Sequence, residues 1–261
     1  MTINKYNLGQ YSLSMVSAGQ AVGPGSPVVV LETGLGVGSE TWGAVQEILS
    51  QTYQTIRYDR AGRGESDPAP KPRSALDLAA DLHNLLAAAG IEAPLILVGQ
   101  SFGGLLVRLY AGLHPERVAG LVLVEPTLEG QFERAAAALP PSAESDSPGL
   151  ARFRQFWTQG YRLPENNQEG VDLVLSEKQV APYRWFGGLP VVILSGDQPL
   201  PELADRPAEA EKLQQMWWDL RQEQTSLSQN ARHIVVRSSG HFIQVDQPQA
   251  VAEAVYLVHK K

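Results

Sequence analysis

Short runs of aliphatic and β-branched residues recur along this chain and alternate with stretches whose apolar residues fall at helical spacing. The runs lie at 28–31, 55–58, 95–98, 121–124, 191–194 and 233–236. Such near-continuous apolar runs are typical of strands in a sheet that is covered on both faces, as in a mostly parallel sheet. An earlier stretch, 11–16, alternates apolar with polar residues and predicts an edge strand of an opening hairpin.

Helical spacing in four of the intervening stretches predicts helices that cover the sheet. They lie at 76–89, 102–113, 208–224 and 249–258. The first is followed by Gly90, a residue favoured just after a helix end, and the last follows Pro248, a residue favoured in a first helical turn. Strands that alternate with helices predict an α/β fold with a mostly parallel sheet flanked by helices.

One region, 126–189, breaks the alternation because it contains no clean strand. It holds eight aromatic residues: Phe132, Phe153, Phe156, Trp157, Tyr161, Tyr183, Trp185 and Phe186. A long insertion between the sixth and seventh strands predicts a cap over a site, with the core formed by 1–125 and 190–261. We expect Trp157, Trp185 and Phe186 to contact substrate, and Trp217 to pack in the core. The alternative is that the rings form a small core of the insertion itself.

The composition narrows the class of protein. The chain has 261 residues, of which 43% are hydrophobic and 19% charged, as in ordinary globular proteins. Its net charge of −7 and scattered basic residues argue against a nucleic-acid partner. With no cysteine, no apolar run of about 20 residues and a polar N-terminus, we expect a cytoplasmic protein without disulfides, membrane span or signal peptide. The sequence does not indicate the oligomeric state.

The strongest chemical signal is G-x-S-x-G, formed by Gly99, Ser101 and Gly103 at the junction of a predicted strand and a predicted helix. A serine that attacks a carbonyl group must present its hydroxyl on a sharp turn, and small flanking residues let strand and helix approach closely. The helix that follows offers unpaired N–H groups to a developing oxyanion. The alternative is a glycine-rich turn with an incidental serine.

A base for Ser101 can be chosen from five histidines. Four lie in or beside predicted helices and strands: His83, His114, His233 and His259. Only His241 lies in a glycine-flanked loop after the last run, at the sheet edge where open α/β proteins bind ligands. A neutral imidazole there can accept the serine proton and later return it.

Four segments resemble the α/β-hydrolase superfamily in the expected order. Segment 31–35 (Leu-Glu-Thr-Gly-Leu) lies where members carry a His-Gly pair, although Glu32 and Thr33 depart from that pattern. Segment 58–67 resembles the D-x-x-G-x-G-x-S turn, Ser101 falls in the nucleophile elbow, and 239–242 resembles the loop with the catalytic histidine. The resemblance implies a hydrolase whose oxyanion hole uses the backbone N–H groups of Leu35 and Phe102.

Two acidic side chains bear on this site in different ways. Glu32 is expected to form a structural ion pair with Arg60 or Arg63, and the alternative is that it contacts substrate. The catalytic acid, the third residue beside Ser101 and His241, is either Glu125 or Asp197, because both fit the family's order of serine, acid and histidine along the chain.

Many members place the acid after the later of these two strands, the one at 191–194, in a G-x-x-D pattern. The sequence Ser-Gly-Asp at 195–197 does not have that spacing. Segment 117–125 resembles haloalkane-dehalogenase-like members, whose acid follows the earlier strand. A carboxylate at the end of an apolar run is costly to desolvate without a partner such as an imidazole N–H. We therefore favour Glu125, with Asp197 as the alternative.

These residues predict a carboxylesterase that acts through an acyl-enzyme on a small to medium apolar ester. The spacing of histidines and carboxylates predicts no metal site, and the glycines at 34–38 do not form a phosphate-binding motif, so we expect no cofactor. Alternatives are another serine-dependent acyl or C–C bond hydrolase, an acyltransferase, or a ligand receptor that does not turn over.

Overall fold

The computed structural model describes residues 1–21, 23, 25–139, 141–143, 146–204 and 206–259. Its strands are β1 (Thr2–Asn7), β2 (Ser12–Ala18), β3 (Val28–Glu32), β4 (Thr55–Tyr58), β5 (Leu95–Gln100), β6 (Val118–Val124), β7 (Pro190–Gly196) and β8 (Asn230–Val236). They form one sheet in the order β1-β2-β4-β3-β5-β6-β7-β8. Strand β2 pairs antiparallel with β1 and β4, and the other neighbours pair in parallel. The predicted mostly parallel α/β sheet is confirmed.

The opening hairpin differs from the prediction in one respect. The stretch predicted as an edge strand is β2, which pairs on both sides. The edge strand at this end of the sheet is β1, whose residues are nearly all exposed. Because both faces of β1 are exposed to solvent, its sequence does not alternate apolar with polar residues. The prediction, which depended on that alternation, therefore missed β1.

The helices are α1 (Gly43–Leu49), α2 (Ala75–Ala88), α3 (Phe102–Leu113), α4 (Gln131–Ala138), α5 (Pro148–Thr158), α6 (Leu173–Val180), α7 (Pro207–Glu223), α8 (Ile243–Asp246) and α9 (Pro248–His259). The four predicted helices correspond to α2, α3, α7 and α9. Helix α1 has only seven residues, too few for a clear period. In the described part of the chain, no helix combines the length and apolar character needed to cross a membrane.

Two apolar clusters cover the two faces of the sheet. Val30 on β3 packs in the cluster that contains residues of α2 and α3, and its neighbour Val29 packs in the cluster that contains residues of α1 and α9. Successive side chains of a strand point to opposite faces, so the fully apolar runs supply both layers. The carboxyl ends of β3 and β5 to β8 meet at one edge of the sheet, where the loops that follow them come together.

The segment between β6 and β7 carries α4, α5 and α6 and packs on α2 and α3 of the core. Its rings contact one another: Phe132 stacks on Tyr161 with centroids 4.4 Å apart, and Trp157 lies 5.2 Å from Phe132. Part of this aromatic content therefore does build a core of the insertion, as the alternative interpretation required.

A half-buried carboxylate in α6 is expected to make stability depend on pH. Burial raises the pKa of Glu177 to about 7, an effect that the Gly130 N–H opposes and that Glu133 and Glu129 reinforce. Because the ordinary value is 4.5, the folded protein holds more protons between these values, and stability falls as pH rises through that window. We expect Glu177→Gln to raise the Tm by about 2–4 °C at pH 8 and by less at pH 5, as calorimetry would measure.

The matched control is Glu165→Gln, which replaces an exposed carboxylate of the same segment. It is expected to change the Tm little at either pH. An equal effect of Glu177→Gln at pH 5 and pH 8 would contradict the ionisation argument.

Candidate active site

Ser101 lies on the turn between β5 and α3, in a backbone conformation that a serine rarely adopts (φ 53°, ψ −122°). The turn is held by hydrogen bonds from Ser101 N to Val124 O at 3.0 Å and from Thr127 N to Ser101 O at 2.9 Å. A Cβ atom on Gly99 would lie 2.3 Å from Gly103 O, so glycine at 99 lets β5 and α3 approach this closely. A Cβ atom on Gly103 would lie 2.5 Å from Thr33 O, so glycine at 103 lets α3 lie against the end of β3. Strain of this kind persists only where the surrounding structure imposes it.

A cavity of 410 Å³ opens at Ser101. The core contributes Glu125 and His241 to its wall, and the insertion contributes Phe153 and Trp157. Further wall comes from α7 and from the segment that precedes it, which supply Leu200, Gln214, Trp217 and Arg221. The cavity therefore lies between the carboxyl edge of the sheet, the insertion and α7.

The aromatic residues predicted to contact substrate are not all at this cavity. Trp157 lines it, whereas Trp185 is 59% exposed elsewhere and Phe186 packs against the cluster that includes α2 and α3. Trp217 packs in a buried apolar cluster, as predicted, and the same ring also lines the cavity, with its centroid 5.6 Å from that of Trp157. Sequence composition identified the aromatic segment but could not indicate which ring faces which way.

His241 and Glu125 meet at the carboxyl edge of the sheet. His241 lies in the loop between β8 and α8, and its Nδ1 is 3.5 Å from Oε2 of Glu125, the residue that follows β6. Gln100, which precedes Ser101, donates from Nε2 to the backbone oxygen of His241 at 3.2 Å and so connects the two loops. The structure thus brings Ser101, His241 and Glu125 to one cavity, and Gln100 is a contributor that no sequence motif indicated.

Asp197, the alternative acid, lies in a different environment. It is exposed, and its Oδ1 accepts hydrogen bonds from Ser238 N at 2.8 Å and from the Gln198 side chain at 3.0 Å. The Gln198 side chain and neighbouring backbone N–H groups hold the pKa of Asp197 below its usual value. In the described residues it makes no hydrogen bond or ion pair with His241, and its contact with Ser238 N joins the loop after β7 to the loop after β8.

Glu125 is a buried anion with several compensating partners. Its side chain is 8% exposed, Oε1 accepts from Gly196 N at 2.7 Å, and Oε2 accepts from Arg221. Burial raises the pKa of Glu125, but the Arg221 guanidinium, the His241 ring and the Gly196 N–H outweigh it and hold that pKa below its usual value. Glu125 therefore stays ionised near neutral pH.

The loop after β3 lies against the elbow. A Cβ atom on Gly34 would lie 2.3 Å from Gln100 Oε1 and 3.3 Å from Ser101 Cβ. Neither the backbone N–H of Leu35 nor that of Phe102 has a hydrogen-bond partner among the residues that the structure describes. Both N–H groups therefore remain available as hydrogen-bond donors in segments that meet at Ser101.

A buried ion cluster holds this loop in place. Arg60, 2% exposed, pairs with Glu32 and donates to the backbone oxygens of Thr33 at 2.7 Å and Gly34 at 2.6 Å. It also pairs with Glu169 of the insertion at 2.6 Å, and Glu169 accepts from Gly36 N at 2.6 Å. The predicted pairing of Glu32 with Arg60 is confirmed, whereas Glu169 lies more than a hundred residues away and had no local signal.

The two carboxylates of this cluster differ in their electrostatics. Burial raises the pKa of Glu32 above its usual value, although Arg60 and Tyr58 oppose it. Burial also acts on Glu169, but there the Arg60 guanidinium outweighs it and lowers the pKa. The lowered pKa keeps Glu169 ionised, so its ion pair with Arg60 joins the insertion to the loop after β3.

The other four histidines have partners away from the cavity. His83 and His114 stack with centroids 4.4 Å apart, His259 Nδ1 lies 2.8 Å from the Tyr53 hydroxyl, and His233 lies between Ser195 and Gln222. Among the described residues, no group of three or more His, Cys, Asp or Glu side chains is arranged to hold a metal ion.

Comparisons with curated proteins show which known sequences this chain is similar to. The chain is 27% identical over 236 residues to the uncharacterized protein YqjL of Bacillus subtilis, a match covering 90% of this chain and 84% of that protein. It is 43% identical over 102 residues to the putative carbamate hydrolase RutD of Klebsiella pneumoniae, but this covers only 39% of this chain and 38% of that one.

Solved structures and a family model give the same answer about the fold. A thermophilic esterase from Thermogutta terrifontis superimposes with a TM-score of 0.66 at 20% identity, covering 98% of this chain and 97% of the other. The family model for the alpha/beta hydrolase fold matches residues 27–211. This chain belongs to the α/β-hydrolase family.

Proposed function

We propose that this protein is a serine hydrolase that cleaves carboxylic esters of small to medium apolar substrates through an acyl-enzyme. The observation that carries the proposal is the cavity of 410 Å³, whose wall includes the strained Ser101 together with His241 and Glu125. A hydroxyl, an imidazole and a buried carboxylate at one cavity are the parts that nucleophilic acyl transfer needs.

The proposed reaction begins when Ser101 Oγ attacks the ester carbonyl carbon and His241 Nε2 accepts the serine proton. Because Nδ1 of His241 faces Glu125, Nε2 is the nitrogen left for the serine. Glu125 keeps the proton of the neutral ring on Nδ1 and stabilises the charged ring. The N–H groups of Leu35 and Phe102 stabilise the oxyanion.

The tetrahedral intermediate collapses when the alkoxide leaves and takes the proton from His241, which gives the acyl-enzyme and an alcohol. Water then attacks the acyl carbonyl while His241 accepts a proton from the water. Proton return to Ser101 Oγ releases the carboxylic acid and restores the starting state.

Segment 126–189 serves, in this proposal, as a cap that shapes the substrate site. Phe153 and Trp157 from this segment and Trp217 from α7 give the cavity apolar walls. Apolar burial of an acyl chain stabilises the bound ester by roughly 0.8 kcal/mol per methylene group. These walls therefore support a preference for apolar over charged acyl groups.

A fluorophosphonate probe tests the proposal directly. We expect one covalent adduct, located on Ser101 by mass spectrometry and absent in Ser101→Ala and His241→Ala. With p-nitrophenyl esters of increasing chain length, kcat/KM is expected to rise from acetyl to a medium acyl chain. A correctly folded protein that neither reacts with the probe nor turns over any ester would favour a ligand receptor.

A carbamate hydrolase is the second candidate, favoured by the 43% identity over 102 residues to the Klebsiella protein named for that activity. The same Ser101 would attack a carbamate carbonyl. Turnover of p-nitrophenyl carbamates without turnover of the matching esters would favour this candidate. Thioester, C–C bond and acyltransfer substrates belong to the same panel because they share the acyl-enzyme step.

A further inference from the structure

We propose that Arg221 is a positioning residue that shares the Glu125 carboxylate with His241 and thereby sets the lower pH limit of the reaction. The kinetic consequence rests on the proposed function, whereas the effect on the His241 ring does not. Nothing in the motifs of the sequence singled out Arg221, which lies in the last turn of α7.

The geometry that carries this inference is the sharing of one oxygen. Nη2 of Arg221 donates to Oε2 of Glu125, and the same Oε2 lies 3.5 Å from Nδ1 of His241. The other oxygen, Oε1, accepts from Gly196 N at 2.7 Å. Of the two contacts with Oε2, the one from Arg221 is the shorter. The His241 contact, at 3.5 Å, is longer than the roughly 2.7–2.9 Å of a strong charge-assisted hydrogen bond.

A second buried pair in the same chain shows how different this arrangement is. Arg108 holds Glu129 with two parallel hydrogen bonds, at 2.7 and 2.8 Å, the fork that arginine usually forms with a carboxylate. Arg221 instead contacts Glu125 through a single nitrogen, Nη2. Arg221 also lines the cavity at Ser101. The pair is therefore arranged around His241, not for the strongest possible salt bridge.

Other ionisable groups near the pair come from every neighbouring element. On β8, burial and the Arg221 charge lower the pKa of His233. On α8, Asp246 accepts from Gly240 N at 2.9 Å, and before α7, Glu202 lines the cavity. Asp197 after β7 faces Ser238 N. In the described residues, none of these four forms an ion pair with Glu125, so Arg221 supplies its permanent countercharge.

The expected consequence follows from charge alone. His241 and Glu125 bind or release a proton as a coupled pair, and a fixed positive charge beside them makes that proton easier to lose. Without the charge of Arg221, the His241–Glu125 pair is expected to keep its proton up to a higher pH. Since His241 must be free of that proton to act as a base, the acid limb of the kcat/KM profile moves upward with it.

The experiment compares Arg221→Met, which removes the charge, with Arg221→Lys, which keeps it. We expect Arg221→Met to raise by about one pH unit the pH at which the His241 ring takes up its proton, followed by NMR of the ring Cε1–H. The acid limb of kcat/KM for the best p-nitrophenyl ester should move by the same amount. Arg221→Lys is expected to restore most of both shifts.

The matched control is Arg108→Met, which breaks a buried arginine–glutamate pair away from the cavity and is expected to lower stability without moving the His241 titration. If Arg221→Met does not fold, Glu125→Gln is compared with Glu125→Gln/Arg221→Met, which buries no unpaired charge, and the same upward shift is expected.

An unmoved His241 titration in the folded Arg221 variants would overturn the role of Arg221, even if kcat fell. A wild-type protein that fails to turn over esters would instead count against the proposed function, and the NMR comparison would still decide the role of Arg221.

Discussion

Replacing Ser101 by alanine is expected to lower kcat/KM for the best ester substrate by about 10⁵- to 10⁶-fold. The reason is that no other hydroxyl in the described part of the cavity wall sits on the strained turn between β5 and α3. His241→Ala is expected to cost a similar factor, because an unassisted serine hydroxyl is a poor nucleophile. Initial rates with p-nitrophenyl esters, at enzyme concentrations high enough to detect residual turnover, measure both effects.

The double variant Ser101→Ala/His241→Ala is expected to lose little beyond either single change, because the two residues act as a unit. The chain also offers a matched control, since Ser195 contacts the His233 ring in a second serine–histidine pair. Ser195 is completely buried on β7 and has no access to the cavity. Ser195→Ala should keep activity within about threefold, and a loss comparable to that of Ser101→Ala would contradict the assignment of the nucleophile.

Replacing Glu125 by glutamine is expected to lower kcat by about 10³- to 10⁴-fold while leaving KM nearly unchanged. A neutral amide cannot stabilise the charged imidazole of His241, and it also leaves the buried Arg221 without its counterion. A carboxylate made neutral in this way lowers stability too, so the Tm is measured beside the kinetics and rates are compared well below it.

Asp197→Asn is the comparison for this prediction, because Asp197 fits the same order along the chain. Its side chain is exposed and bonded to Ser238 N, so its loss is expected to change kcat by no more than about twofold. The opposite pattern, near-normal turnover for Glu125→Gln and a loss of about 10³-fold for Asp197→Asn, would identify Asp197 as the acid.

Local sequence was sufficient for the parts of this protein that depend on neighbours along the chain. The apolar runs predicted β3, β5, β6 and β7 because a strand buried on both faces must be apolar at successive positions. Shorter apolar stretches sufficed for β4 and β8, although these strands carry Arg57 and His233 and are less buried. The turn at Ser101 could be predicted because the glycines that permit it lie two residues away on either side. His241 could be singled out because glycine and strand patterns mark its loop.

The remaining features depend on residues that are distant in sequence, and only the tertiary structure decided them. Glu125 and Asp197 each directly follow an apolar strand, but only the packing of α7 and of the loop after β8 determines which carboxylate lies beside His241. Glu169 joins the loop after β3 across more than a hundred residues. The direction in which Trp157, Trp185 and Trp217 face follows from packing, because aromatic composition is the same whether a ring lines a cavity or fills a core.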